Sequence, residues 1–118
     1  MAKIIIMGGG IGGVSMAYEM RCLARKEDEV ILVSDSETFQ FVPSNPWVAV
    51  GWRKPSDIKV ELAPYLNKKN ITFSAAGVKR AHPEENRLEL CDESNLVYDY
   101  LVIATGPRLA FEEVEGLG

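Results

Sequence analysis

Residues 8–13 of this 118-residue chain, Gly8, Gly9, Gly10, Ile11, Gly12 and Gly13, spell G-x-G-x-x-G. Glycines at that spacing handle phosphate through the backbone rather than through side chains. Gly8 permits a tight turn, Gly10 lets a pyrophosphate approach the main chain, and Gly13 lets a following helix pack hard on its strand. The free amides of that helix's first turn then point at the anion. A second constellation stands at Ser34 and Asp35. A carboxylate about 20 residues past the glycine turn is placed to accept hydrogen bonds from a ribose. No Lys or Arg follows at once, which disfavours a 2′-phosphate and hence NADP. Ser34, Asp35 and Ser36 also have the composition of a cap or turn.

These groups have a purpose only if secondary structure delivers them to one place. Residues 4–7 form an apolar run of the kind covered on both faces of a parallel sheet. Residues 13–25 read as a helix with two apolar stripes, Ile11, Val14, Tyr18 and Cys22 on one and Met16, Met20 and Leu23 on the other, a helix buried from more than one side. Residues 30–33 are a second apolar strand, completing a βαβ unit. Residues 34–52 look irregular, residues 61–69 form a short helix with Pro64 near its start, and residues 71–78 form a third strand. The alternation of Leu88, Leu90, Leu96 and Tyr98 predicts a β-hairpin, and residues 100–104 are a last apolar strand ending in Thr105 and Gly106. The implied fold is α/β and Rossmann-like, an FAD/NAD(P)-binding type with a parallel sheet and, beside it, an antiparallel β-hairpin. Both small-residue turns then face one crevice at the carboxyl ends of the strands. Spacing alone does not separate FAD from NAD as its occupant.

Composition narrows the partners. With a net charge of −4 and basic residues scattered, the chain lacks the surface that tracks phosphates along a nucleic acid. Two cysteines, Cys22 and Cys91, are too few for a disulfide framework and have no zinc-site spacing, so a reducing compartment and no metal are expected. Buried, each would act as a small hydrophobe. His82, before Pro83, reads as part of a surface turn. No apolar run is long enough to span a bilayer or to serve as a signal segment, which predicts a cytoplasmic or peripherally membrane-attached chain.

Residues 98–106 (YDYLVIATG), an apolar strand closing on Ala104, Thr105 and Gly106, resemble the signature of flavoproteins with two dinucleotide-binding domains, the glutathione-reductase-like superfamily. In that superfamily a hairpin replaces a crossover helix ahead of this strand, and the resemblance implies FAD at the glycine turn. A narrower match lies in residues 39–52 (FQFVPSNPWVAVGW) together with residues 98–111 (YDYLVIATGPRLAF), which look like the sulfide:quinone oxidoreductase family. The similarity covers nearly the whole chain, and its most specific part is the stretch from Phe41 to Trp47. Related type II NADH dehydrogenases differ there. So do flavocytochrome c sulfide dehydrogenases, which carry a cysteine near this point that binds flavin covalently. With no cysteine nearby, the FAD here should be non-covalent.

Transferred residue by residue, the resemblance puts the FAD pyrophosphate at residues 8–12, the adenosine ribose at Ser34 and Asp35, the adenine at Gly77 and Val78, and the isoalloxazine near Val42 and Pro43. Ala104, Thr105 and Gly106 close over the cofactor, with Pro107 and Arg108 beside them, Arg108 either facing the flavin or solvated. Phe41 and Pro43 are quinone-proximal or pack the loop; for Trp47 and Trp52 loop packing is favoured. The family oxidises sulfide with cysteines beside the flavin and passes electrons to a membrane quinone. Neither cysteine here suits that role, so no catalytic residue is expected in this chain. It reads as a single domain over residues 1–118, the N-terminal part of a longer flavoprotein, inactive alone. The homo-oligomeric state is left open. The alternatives are an NADH:quinone reductase of the same superfamily or a non-catalytic NAD/ADP-ribose-binding module.

Overall fold

The computed structural model describes residues 1–107 and 110–116. Strand β1 (Lys3–Met7) leads through residues 8–10 into helix α1 (Ile11–Leu23), and β2 (Glu29–Val33) follows. Two short strands, β3 (Thr38–Gln40) and β4 (Lys59–Glu61), enclose helix α2 (Asn45–Ala49) and two 3-10 turns. Helix α3 (Leu62–Lys68) precedes β5 (Thr72–Ser74), then come β6 (Val78–His82), β7 (Arg87–Leu90), β8 (Asn95–Val97) and β9 (Tyr100–Ile103).

Strands β5, β2, β1 and β9 form a parallel sheet in that order, with Ile5 opposite Ile31 on one side and Leu101 on the other. Successive side chains of a strand point to opposite faces, and the two faces carry different covers. Ile4, Ile6, Val30 and Leu32 pack with Ala17 of α1 and with Leu62 and Leu66 of α3. Ile5, Ile31 and Val33 pack instead with Leu88, Leu90 and Tyr98 of the antiparallel layer. The continuous apolar runs of β1 and β2 follow from this double burial.

The crossover is a three-stranded antiparallel sheet, β6-β7-β8, and so one strand larger than a hairpin. Its third strand comes from splitting the single strand expected over residues 71–78. Gly77 adopts φ +74°, which ends the extended chain after β5 and redirects it into β6. His82 closes β6 at the edge of a 3-10 turn rather than lying within a turn.

Helix α1 also departs from expectation. Only Gly13 and Ala17 are fully buried; Val14, Tyr18 and Met20 pack at the margin of the core, and Ile11, Met16 and Leu23 are exposed. Small residues on the inner stripe bring the helix close to the sheet, and of the second stripe only Met20 reaches the core. Both cysteines are likewise exposed, Cys22 on this helix and Cys91 in the β7–β8 turn, so neither serves as a buried hydrophobe.

The end of the sheet away from the glycine turn is held by Asp28, whose carboxylate accepts hydrogen bonds from the amides of Ala2 (2.7 Å) and Arg25 (3.0 Å). Those bonds hold its pKa below the ordinary value. A depressed carboxylate stabilises the fold above its unfolded-state pKa, and that contribution disappears as pH falls through the lower folded-state value. Urea titrations should therefore show Asp28→Asn less stable than the parent at pH 7, with the difference shrinking below the reference value of 3.8. In the antiparallel layer, Leu88→Ala should cost about 2–5 kcal/mol by the same measurement. Val50→Ala, at an exposed position, should stay within about 0.5 kcal/mol.

Candidate functional site

The carboxyl ends of β1, β2 and β9 meet at a cavity of about 520 Å³, within the range of roughly 300–1,000 Å³ typical of small-molecule sites. Its floor begins where the sheet ladder runs past the strand ends: the Gly8 amide donates to the Val33 carbonyl (2.8 Å), and the Ala104 amide to that of Met7 (2.8 Å). Gly8 has φ +124°, and a Cβ there would strike the Ala104 carbonyl. A Cβ on Gly13 would collide with the Gly8 carbonyl. Glycine is thus demanded at both positions by the close approach of strand, turn and helix.

Gly10 is different. A Cβ there would meet no protein atom within 4 Å, although Gly10 lines the cavity and caps α1. Its bare backbone leaves a cradle that a side chain would fill. The Val14 amide is the first to bond back, to Gly10 (3.0 Å), which leaves the amides of Ile11, Gly12 and Gly13 without an intrahelical acceptor. A neutral turn with free amides at the positive end of a 13-residue helix suits a bound diphosphate.

Ser34 and Asp35 line the cavity one step beyond β2. Ser34 is buried and locked: its amide donates to the Ser74 carbonyl, its carbonyl accepts from the Gly77 amide (2.9 Å each), and its Oγ accepts from the Ser36 amide (3.2 Å). The turn-forming reading of Ser34 therefore holds together with its place in the cavity wall. The Asp35 carboxylate has no hydrogen bond or ion pair among the described residues and faces solvent beside the same cavity. Gly77 touches this corner, since a Cβ on it would lie 3.4 Å from that of Asp35.

Of the residues expected at the site from sequence, the cavity brings together Gly8, Gly9, Gly10, Ser34, Asp35, Val42, Val78 and Thr105. Ile11, Gly12 and Gly13 stand behind the turn in α1, and Ala104 backs Gly8. Phe41 and Pro43 flank Val42 without lining the cavity, and Gly106, at φ +70°, does not line it either. Arg108 lies outside the described residues. Trp47 and Trp52 meet edge to face at 6.1 Å, with the Arg53 guanidinium 3.8 Å from the Trp47 ring centre, and neither indole reaches the cavity. Sequence reasoning missed Ser36, just ahead of β3, and Thr38, Gln40 and Lys59, which line the wall supplied by the β3–β4 ribbon. The polar-apolar-polar alternation of Thr38, Phe39, Gln40 and of Lys59, Val60, Glu61 is too short to mark a strand. No cluster of His, Cys, Asp and Glu among the described residues could hold a metal ion, and no described helix is long and apolar enough to cross a membrane.

Residues 2–117 match the family described as pyridine nucleotide-disulphide oxidoreductase. The chain belongs to that family. It is 44% identical over 112 residues to the sulfide-quinone reductase of Aquifex aeolicus, covering 94% of this chain and 26% of the relative. It is 31% identical to the mitochondrial sulfide:quinone oxidoreductase of Dictyostelium discoideum, covering 99% of this chain and 26% of that one. The crystal structure of the Aquifex aeolicus sulfide:quinone oxidoreductase superposes with a TM-score of 0.89 at 41% identity, over 94% of this chain and 26% of the other. The chain spans about a quarter of the length of these relatives.

The two glycine environments separate packing from binding. Gly13→Ala should lose at least about 2 kcal/mol of unfolding free energy, because the methyl group meets backbone. Gly10→Ala should cost only about 1 kcal/mol, the difference between glycine and alanine as an N-cap, yet abolish nucleotide binding measured by calorimetry.

Proposed function

We propose that this chain is the FAD-binding part of a sulfide:quinone oxidoreductase. The observation that carries the reading is a single cavity lined by Asp35 and Val78, by Gly8, Gly9 and Gly10, and by Val42 and Thr105. In that order they suit the adenosine, the diphosphate and the flavin of one extended, non-covalent cofactor. The identity to two relatives named for sulfide and quinone supports the substrate assignment.

FAD, when bound, supplies two-electron redox chemistry. Asp35 accepts hydrogen bonds from the ribose hydroxyls, and the glycine turn and the first amides of α1 hold the diphosphate. Val42 and Thr105 present small or apolar surface to the ring system. Over the whole reaction sulfide gives up two electrons and becomes zero-valent sulfur, and the quinone takes those electrons with two protons to become the quinol. Thiolates must act beside the flavin to bind the sulfur. Neither Cys22 nor Cys91 lines the cavity, so we assign that step to thiols elsewhere in the whole protein. Because the quinone dissolves in lipid, the whole protein works at a membrane surface.

Flavin absorbance and fluorescence of the chain titrated with FAD should show saturable binding, with Asp35→Ala weaker by about tenfold or more. Tight binding of NAD without any binding of FAD would favour the non-catalytic nucleotide module instead. For the whole protein, sulfide-dependent reduction of a soluble quinone analogue is the deciding assay, and NADH-dependent reduction in its place would favour the NADH:quinone reductase.

A further inference from the structure

The β3–β4 ribbon supplies the wall of the cavity that the glycine turn does not, and its register sets what it displays. Phe39 pairs with Val60 and turns toward the helix-covered core, so Thr38, Gln40 and Lys59 share the other face and line the cavity. The Gln40 amide is engaged, its Nε2 donating to Asn45 Oδ1 (2.8 Å). The Lys59 ammonium has no ion pair or hydrogen bond among the described residues, and the ribbon beneath it is anchored by buried Ile58, whose carbonyl accepts from the Phe41 amide (2.8 Å).

Charge gives this residue its meaning. Among the residues lining the cavity, Lys59 is the cation and Asp35 the anion. The glycine turn offers only neutral amides and the helix end about half an elementary charge. A diphosphate adds two negative charges to a wall that already carries Asp35. The chain as a whole is acidic, at −4, so attraction must come from within the site.

We infer that Lys59 is a cofactor-binding residue, the cation that meets the diphosphate of the bound cofactor from the ribbon side. This rests on the FAD reading and adds a side chain to a phosphate site otherwise made of backbone. It also gives the β3–β4 ribbon a role in binding. An ammonium on a flexible stem suits the task, acting as a compact point charge with three donors.

The experiment compares the parent, Lys59→Met and Lys59→Arg by calorimetric titration with FAD and with ADP, at low salt and in 1 M NaCl, after melting curves establish that all three fold. Lys59→Met should bind both ligands about five- to tenfold more weakly at low salt, the range for exposed to half-shielded charge pairs. The gap should close in 1 M NaCl as screening removes the attraction. Lys59→Arg should keep most of the affinity. Unchanged binding by Lys59→Met, or a loss equally large at both salt concentrations, would overturn the assignment. Failure of the parent itself to bind FAD and ADP would overturn the cofactor reading, and this inference with it.

Discussion

Three backbone segments meet at Gly8 more closely than any side chain would allow. The end of β1, the start of α1 and the end of β9 are pressed together there, Gly8 against the Ala104 carbonyl and Gly13 against the Gly8 carbonyl. Because parallel strands share a direction, this contact lines up the carboxyl ends of β1, β2 and β9 and sets α1 with its free amides toward them. The cavity is the space left above that junction. Its depth follows from backbone packing, and its chemistry from what the neighbouring turns add at Asp35, Val42 and Thr105.

The different covers of the two sheet faces give the site unequal surroundings. On one face, α1 and α3 pack through small and aliphatic side chains. On the other, the antiparallel layer packs Leu88, Leu90 and Tyr98 against the sheet and brings the Gly77 turn to Asp35 through the bond from the Cys91 amide to the Gly77 carbonyl (3.0 Å). The layer that substitutes for a crossover helix thereby also shapes the Asp35 end of the cavity.

What the sequence revealed was what local backbone demands. An apolar run followed by glycines has few other uses, and the alternation of Leu88 and Leu90 has a period of two, so β1, the glycine turn and the β7–β8 hairpin were all readable. The short ribbon was not. Each of β3 and β4 has three residues, the pair is separated by α2 and two turns, and its register depends on Phe39 reaching a core that forms only in three dimensions. Lys59 was invisible for the same reason, since a lone lysine acquires a role only from the wall it joins. Helix α1 misled in the opposite direction, because apolar Met16 and Leu23 do not reveal which stripe meets the sheet, whereas Gly13 and Ala17 set that choice through close contact.

The pairing of β1 with β9 joins parts of the chain 96 residues apart, tied by the Lys3 amide to the Asp99 carboxylate (2.7 Å) and by the Asp99 amide to the Lys3 carbonyl (2.8 Å). Closing so long a loop is the slow, entropically unfavourable part of assembling such a sheet. During synthesis on the ribosome, the glycine turn, α1 and β2 leave the exit tunnel first, while the Thr105 side of the cavity waits for β9 to follow. The cavity is therefore completed only once β9 pairs, and a nascent chain halted before β9 would carry the glycine turn without the pocket it lines.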